Sequence, residues 1–188
     1  MAAGLLAAYP EFTIDLVCND RMVDLIEEGF DVGLRLARTL PDSTLVARRL
    51  GESPVLLVAS PAYLRKHGAP ATPGDLAQHN CLVYTQAQRP WEWTFTGPQG
   101  EQQAVTVRGQ LQANTAIALR RAVLAGAGIT AAAAFLVSED LQRGDLVQVM
   151  PGWRLKPREL FALYPQNRHM SPKVRAFIDF AAEVYRQR

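Results

Sequence analysis

Ser60-Pro61, Thr72-Pro73 and Ser171-Pro172 each set a hydroxyl side chain directly before a proline. This pairing starts helices: the hydroxyl accepts from N–H groups of the first turn, and proline, with no N–H of its own, suits the first helical position. Behind Ser171 the residues Val174, Phe177, Ile178, Ala181 and Tyr185 fall on one stripe, the strongest helical pattern in the chain. Gly68 ends the helix begun at Ser60, and the short one begun at Thr72 ends near His79. Between and after these starts lie short apolar runs of strand type, at residues 81–84, 91–96, 104–112, 129–134, 146–150 and 159–164. The turn signal Gly97-Pro98-Gln99-Gly100 separates two of them. Strands alternating with helices in this way specify an α/β fold.

The first third reads similarly. A helix tail is stopped by Pro10; Phe12, Ile14 and Leu16 alternate with Thr13, Asp15 and Val17, which predicts a strand at residues 12–17. Asn19 or Asp20 can cap a following helix, with Met22, Leu25 and Ile26 on one face and Gly29 at its end. Residues 31–36 form a short strand, which completes a β-α-β unit. Residues 45–50 and 54–59 read as two extended segments joined around Gly51. Further on, Asn114 or Thr115 caps a helix carrying Ile117, Leu119, Val123 and Leu124 and closed by Gly126, and Ser138 caps another that stops at Gly144.

Composition narrows the function classes. A chain of 188 residues, 48% hydrophobic with a net charge of +2, holds one domain or two small lobes around a real core and is not disordered. Its basic residues are scattered (Arg48-Arg49, Arg65-Lys66, Arg120-Arg121), without the run expected of a nucleic-acid footprint. Cys18 and Cys81 lie far apart in apolar stretches and read as reduced, buried thiols. His67, His79 and His169 are isolated, so neither a metal nor a cofactor is expected. The longest uncharged run, residues 122–137, is mostly Ala and Gly and falls short of the about 20 apolar residues that span a bilayer. With no basic segment at its start, the chain is expected in the cytoplasm and away from membranes.

Catalytic motifs are lacking. Gly126-Ala127-Gly128-Ile129-Thr130-Ala131 approximates a dinucleotide loop, but a helix precedes it and a strand follows; it reads as a helix end with close helix–strand packing. No G-x-S-x-G, H-E-x-x-H or C-x-x-C occurs, and Asp24, Glu27, Glu28 and Asp31 read as a solvated acidic face. Trp91, Trp93 and Trp153 suit a core or the flanks of turns. An enzyme is therefore not expected. Ligand binding fits better, because helices beginning near Asp20 and Thr115 would each follow a strand and present free N–H groups at the sheet's carboxyl edge. Arg35, at its strand's end, can pair with a ligand carboxylate or form a salt bridge; Asn114 and Thr115 can meet a ligand or serve only as caps.

Longer segments then fall into a recognisable order. They are Tyr9-Pro10-Glu11-Phe12-Thr13-Ile14-Asp15-Leu16, residues 20–24, Glu28-Gly29-Phe30-Asp31-Val32-Gly33-Leu34-Arg35, Leu40-Pro41-Asp42-Ser43-Thr44-Leu45 and residues 48–51. Val58-Ala59-Ser60-Pro61-Ala62-Tyr63-Leu64, His79-Asn80-Cys81-Leu82, Ala125-Gly126-Ala127-Gly128-Ile129, residues 138–141, Pro151-Gly152-Trp153 and residues 171–180 follow. Together they resemble the effector-binding (substrate-binding) domain of LysR-type transcriptional regulators over essentially the whole chain.

The resemblance implies a fold like type II periplasmic binding proteins, with two lobes, each built on a central mixed sheet, and a double crossover. Lobe I would hold residues 1–59 and 165–188, and lobe II residues 60–164. A small anionic effector would sit in the inter-lobe cleft against Asn19, Asp20, Arg35, Leu36, Asn114, Thr115 and Tyr164. A homodimer would pair lobe I with lobe II of its partner through the first helix, residues 12–17 and the 115–126 helix. DNA would be reached only through a helix-turn-helix that these residues do not include. The resemblance also lacks the family's first strand of lobe I and the Ser/Thr-bearing loop after it, which implies a gap or orphaned backbone groups at about 1–3 kcal/mol each. At Ala131–Ala134 the family tends to carry larger apolar residues or proline. Competing readings are a solute-binding protein of a transport system, an enzyme on the same fold, and a fragment that only dimerises.

Overall fold

The computed structural model describes residues 1–21, 23–40, 44–166 and 170–186. Met22, Pro41, Asp42, Ser43 and His169, all used above, lie outside the described residues. In chain order, the elements begin with α1 (Ala2–Ala8), β1 (Gly33–Ala37), β2 (Leu45–Ala59), α2 (Pro61–His67) and a 3-10 turn (Pro73–Gln78). Next come β3 (Cys81–Tyr84), β4 (Glu92–Thr96), β5 (Gln102–Thr106), β6 (Gln112–Ala113) and α3 (Ala116–Leu124). The chain ends with β7 (Ile129–Ala133), α4 (Ala134–Arg143), β8 (Val147–Gln148), β9 (Arg154–Pro165) and α5 (Pro172–Arg186). Two compact units result: unit 1 is Met1–Cys18, Met22–Glu52 and Arg158–Arg188, and unit 2 is Asn19–Arg21 and Ser53–Pro157. β2 and β9 each run from one unit into the other.

Unit 2 is built around a mixed sheet. β7 lies antiparallel to β2, from Val55↔Ala133 to Ala59↔Ile129, and β3 is parallel to both β7 and β6. β4 and β5 form an antiparallel hairpin around Gly100, whose φ of +86° suits a residue without Cβ, and β4 also pairs β9 at Phe95↔Leu155. Successive strand residues point to opposite faces, so Cys81 and Val83 enter one core with Leu57, Phe95, Ile129, Tyr63 and Leu76. Leu82 enters a second core with Val58, Leu119, Val123, Val137 and Leu146. Both faces of the central strands are therefore covered, which explains why 81–84 reads as a continuous apolar run without alternation.

Unit 1 pairs β1 with β9 antiparallel, from Gly33↔Leu163 to Ala37↔Glu159. Its core gathers Leu50, Leu160, Ala162, Ile178, Ala181 and Ala182, against which Val174, Phe177 and Tyr185 of the α5 stripe pack. Arg48 reaches Asp179 at 2.8 Å and Arg49 reaches Glu159 at 2.6 Å. Exposed pairs of this kind contribute only about 0.2–1 kcal/mol each.

Local helix starts follow the sequence reading. Ser60 Oγ accepts the Tyr63 N–H at 3.2 Å, and Asp75 accepts the N–H groups of Ala71 and Thr72 at 2.9 Å each. Gly68 and Gly144 end their helices at φ values of +80° and +75°.

Four expectations are corrected. Residues 12–17 form no regular secondary structure and have no sheet neighbour among the described residues. Alternation alone cannot make a strand, and here Phe12 stacks on Tyr9 (5.0 Å between centroids) while Leu16 and Val17 are exposed. The helix expected after Asp20 is a single turn. Asp24 Oδ1 accepts the Ile26 and Glu27 N–H groups, Phe30 N–H closes back onto Leu25, and Gly29 leaves at φ +74°, so no room remains for a second turn and the β-α-β unit does not form. Residues 45–59 form one strand, with Gly51 continuing it where the Tyr185 ring packs close. α4 begins at Ala134, ahead of Ser138, whose hydroxyl donates back to the Phe135 carbonyl at 3.3 Å from within the helix.

The two thiols also differ. Cys81 is buried, which pushes its thiol up to about 12, whereas Cys18 is exposed. Among the described residues no helix is long and apolar enough to cross a membrane.

Candidate functional site

The start of α3 is where several sequence candidates meet. Thr115 occupies the N-cap position with extended backbone, yet its side chain makes no capping bond. The Ala116 N–H is instead donated to Oδ2 of Asp20 at 3.0 Å, from 96 positions earlier in the chain. Asn19 shapes that approach: its Oδ1 accepts the Arg21 N–H at 2.9 Å, closing a small turn that carries the Asp20 carboxylate. A carboxylate here also faces the positive end of the helix dipole. Asp20 is thus a helix cap as its residue type suggested, but it caps α3 and not the segment following it.

Asn19, Asp20, Asn114 and Thr115 all belong to unit 2, with Asn114 exposed and Asp20 half-buried. Arg35, Leu36 and Tyr164 belong to unit 1. Arg35 is in the middle of β1 opposite Phe161, not at a strand end, because the strand runs on to Ala37. Leu36 lies opposite Leu160, and both Leu36 and Tyr164 pack on the unit 1 core.

Alanine at position 20 is expected to destabilise the protein by about 1 kcal/mol, the usual worth of an N-cap. The loss would appear as faster hydrogen exchange of the Ala116 amide, with the amides in the second half of α3 less affected.

Sequence reasoning missed what holds α3 in place. Asp140 of α4 is fully buried and accepts Nε and Nη2 of Arg120 at 2.6 Å each and Nη2 of Arg143 at 2.6 Å. Arg143 also donates to Asp145 at 2.7 Å. Hydrogen bonding to these carboxylates pushes both guanidinium groups above their ordinary range. Only the Asp140–Arg143 spacing, three residues along one helix, carries a sequence signal. Among the described residues no cluster of three or more His, Cys, Asp or Glu side chains could hold a metal ion.

Comparison with known proteins decides the family. The model for the LysR substrate binding domain matches residues 1–186. This chain belongs to that family. The HTH-type transcriptional regulator PtxR of Pseudomonas aeruginosa is 36% identical over 183 residues, covering 97% of this chain and 58% of the relative. The full-length structure of AphB, a Vibrio cholerae virulence activator of the same protein family, superposes with a TM-score of 0.81 at 35% identity, covering 98% of this chain and 62% of that one. The CrgA regulatory domain from Neisseria meningitidis gives a TM-score of 0.86 at 32% identity, covering 98% and 89%. The LysR domain thus spans about three fifths of the length of the curated relatives it matches. Its fold is the periplasmic-binding-protein-like α/β fold, with two units and a double crossover formed by β2 and β9. The relatives carry the names of transcriptional regulators.

Proposed function

We propose that this LysR domain is the effector-sensing part of a transcriptional regulator, and that it binds a small anionic molecule through Asn19, Asp20, Arg35, Leu36, Asn114, Thr115 and Tyr164. Membership of the family over residues 1–186 is the observation that carries this reading. Lobes of residues 1–59 with 165–188 and 60–164 accompany it. The Ala116 N–H already has the Asp20 carboxylate as its acceptor, so the charge that recognises an anion falls to Arg35. A guanidinium grips a carboxylate with two parallel hydrogen bonds, a geometry that lysine or a lone amide does not reproduce. Arg35→Ala therefore removes the thermal stabilisation that the effector confers.

The domain is not catalytic in this reading. It acts in the cytoplasm, and DNA is contacted by a helix-turn-helix outside these 188 residues. Effector binding biases the geometry of a homodimer and so the placement of that DNA-binding part. Support for a dimer comes from large apolar side chains left exposed on the segments expected to pair: Leu6 of α1, Leu16 and Val17 of residues 12–17, and Ile117 of α3. Light scattering at micromolar concentration is expected to give twice the chain mass of 20.7 kDa. Ile117→Asp should shift that value toward one chain, and a wild-type protein at one chain mass would remove the dimer from the account.

A further inference from the structure

A polar junction of unit 2 lies between α2, the 3-10 turn and β3. Tyr63 is buried there, its ring stacked on His67 (4.5 Å between centroids, 23° between planes) and tilted against His79 (5.8 Å, 51°). Its hydroxyl accepts the Asn80 N–H at 3.0 Å and lies 3.2 Å from Nδ1 of His79. A hydroxyl that already accepts from Asn80 has one proton to place. A neutral imidazole with an unprotonated Nδ1 takes it, so the hydroxyl both donates and accepts.

Asn80 is the node of this region. Its Oδ1 accepts the Gln110 N–H at 2.8 Å, its Nδ2 donates to the Ala127 carbonyl at 2.6 Å, and its own carbonyl accepts the Ile129 N–H at 2.9 Å. One residue thereby joins α2, the approach to β6, the turn at residues 126–128 and the start of β7.

We propose that His79 is a proton sensor for unit 2: uptake of a proton on its ring releases Tyr63 from Asn80 and loosens the node that joins α2 to the turn at 126–128. Protonation puts a second donor at Nδ1 facing the same hydroxyl, which must then turn its own proton away into a buried setting where a lost acceptor is costly. The groups acting on the ring are His67 from α2, a like charge when protonated, and Asp75 from the 3-10 turn, an opposite one. Burial is the largest influence, and with His67 it outweighs Asp75, holding His79 below the ordinary histidine range. Burial likewise raises Tyr63, which keeps its proton throughout. Because the folded state takes up the proton at lower pH than the unfolded state, the unfolded chain binds more protons between the two values. Stability therefore falls as pH drops through that window from the ordinary histidine value.

The test is amide hydrogen exchange by NMR on the full 188-residue chain, corrected for intrinsic exchange. Between about pH 7.5 and about pH 5.5, across the histidine range, the protection of the Asn80 amide is expected to fall about tenfold in the wild type. His79→Gln should abolish that pH dependence. His67→Gln, at an exposed position, removes the like charge, narrows the gap between the folded and unfolded values of His79 and should make the fall smaller. Asn80 protection that is independent of pH in the wild type, the same fall in His79→Gln, or a fall not reduced by His67→Gln would each overturn the proposal.

Discussion

Asp140→Ala is expected to destabilise the LysR domain by about 3–5 kcal/mol, measured as a shift in the urea midpoint at constant slope. Asp140 is fully buried and receives three charge-assisted hydrogen bonds of 2.6 Å, two from Arg120 and one from Arg143. Arg143 is largely solvated and keeps Asp145, but the Arg120 side chain is only 28% exposed and would lose the carboxylate that holds it. Breaking one side of such a pair is costly because the remaining charge stays partly desolvated, whereas replacing both partners by apolar residues of similar volume is often neutral. The double substitution Arg120→Met with Asp140→Leu should therefore recover much of the loss. A loss below about 1 kcal/mol for Asp140→Ala would place the pair among ordinary surface ion pairs.

Gly128→Ala is the second severe substitution. A Cβ at this position would run into the Asn80 carbonyl, and one at Gly109 into the Cys81 backbone, so two glycine-bearing segments press on the start of β3. The obstacle is backbone, which cannot swing aside as a flexible side chain does. The cost is expected at or above about 3 kcal/mol, the upper end for overpacking. Gly126→Ala supplies the contrast: its φ of +81° strains any side chain, yet its Cβ meets only Ser60 Oγ at 3.6 Å. The left-handed penalty alone is about 1–2 kcal/mol. Equal losses at the two positions would show that space at Gly128 is not what matters.

The two glycines show what sequence could and could not reveal. Reading Gly126-Ala127-Gly128 as a helix end with close helix–strand packing needs only the order of neighbouring elements, and the structure has that packing at Gly128. The hydroxyl–proline starts at Ser60 and Ser171 were legible for the same reason, since their bonds close within three residues. Residues 12–17 were misread because period-two alternation reports which side chains face inward, and Phe12 and Ile14 are indeed half-buried, but pairing depends on a neighbouring strand. The helix expected after Asp20 stops at one turn because Asp24, which reads as part of a solvated acidic face, turns its carboxylate back onto the Ile26 and Glu27 N–H groups and closes that turn locally. At the candidate site, residue types were informative and partners were not. Asp20 reads as a cap for the segment that follows it, yet the helix it caps begins 96 positions later, and Arg120 finds Asp140 across 20 positions with no spacing rule to announce it.

The central claim is that this LysR domain recognises a small anionic effector through Arg35. Thermal unfolding of the wild type and of Arg35→Ala, each screened against a panel of small organic acids and their uncharged analogues, tests it most directly. At a concentration about a hundredfold above its dissociation constant, a true effector stabilises the folded state by about 2.7 kcal/mol. The account predicts such a rise with at least one acid, a much weaker one with its uncharged analogue, and none in Arg35→Ala. A rise of equal size in wild type and Arg35→Ala, or stabilisation by uncharged compounds alone, would contradict it.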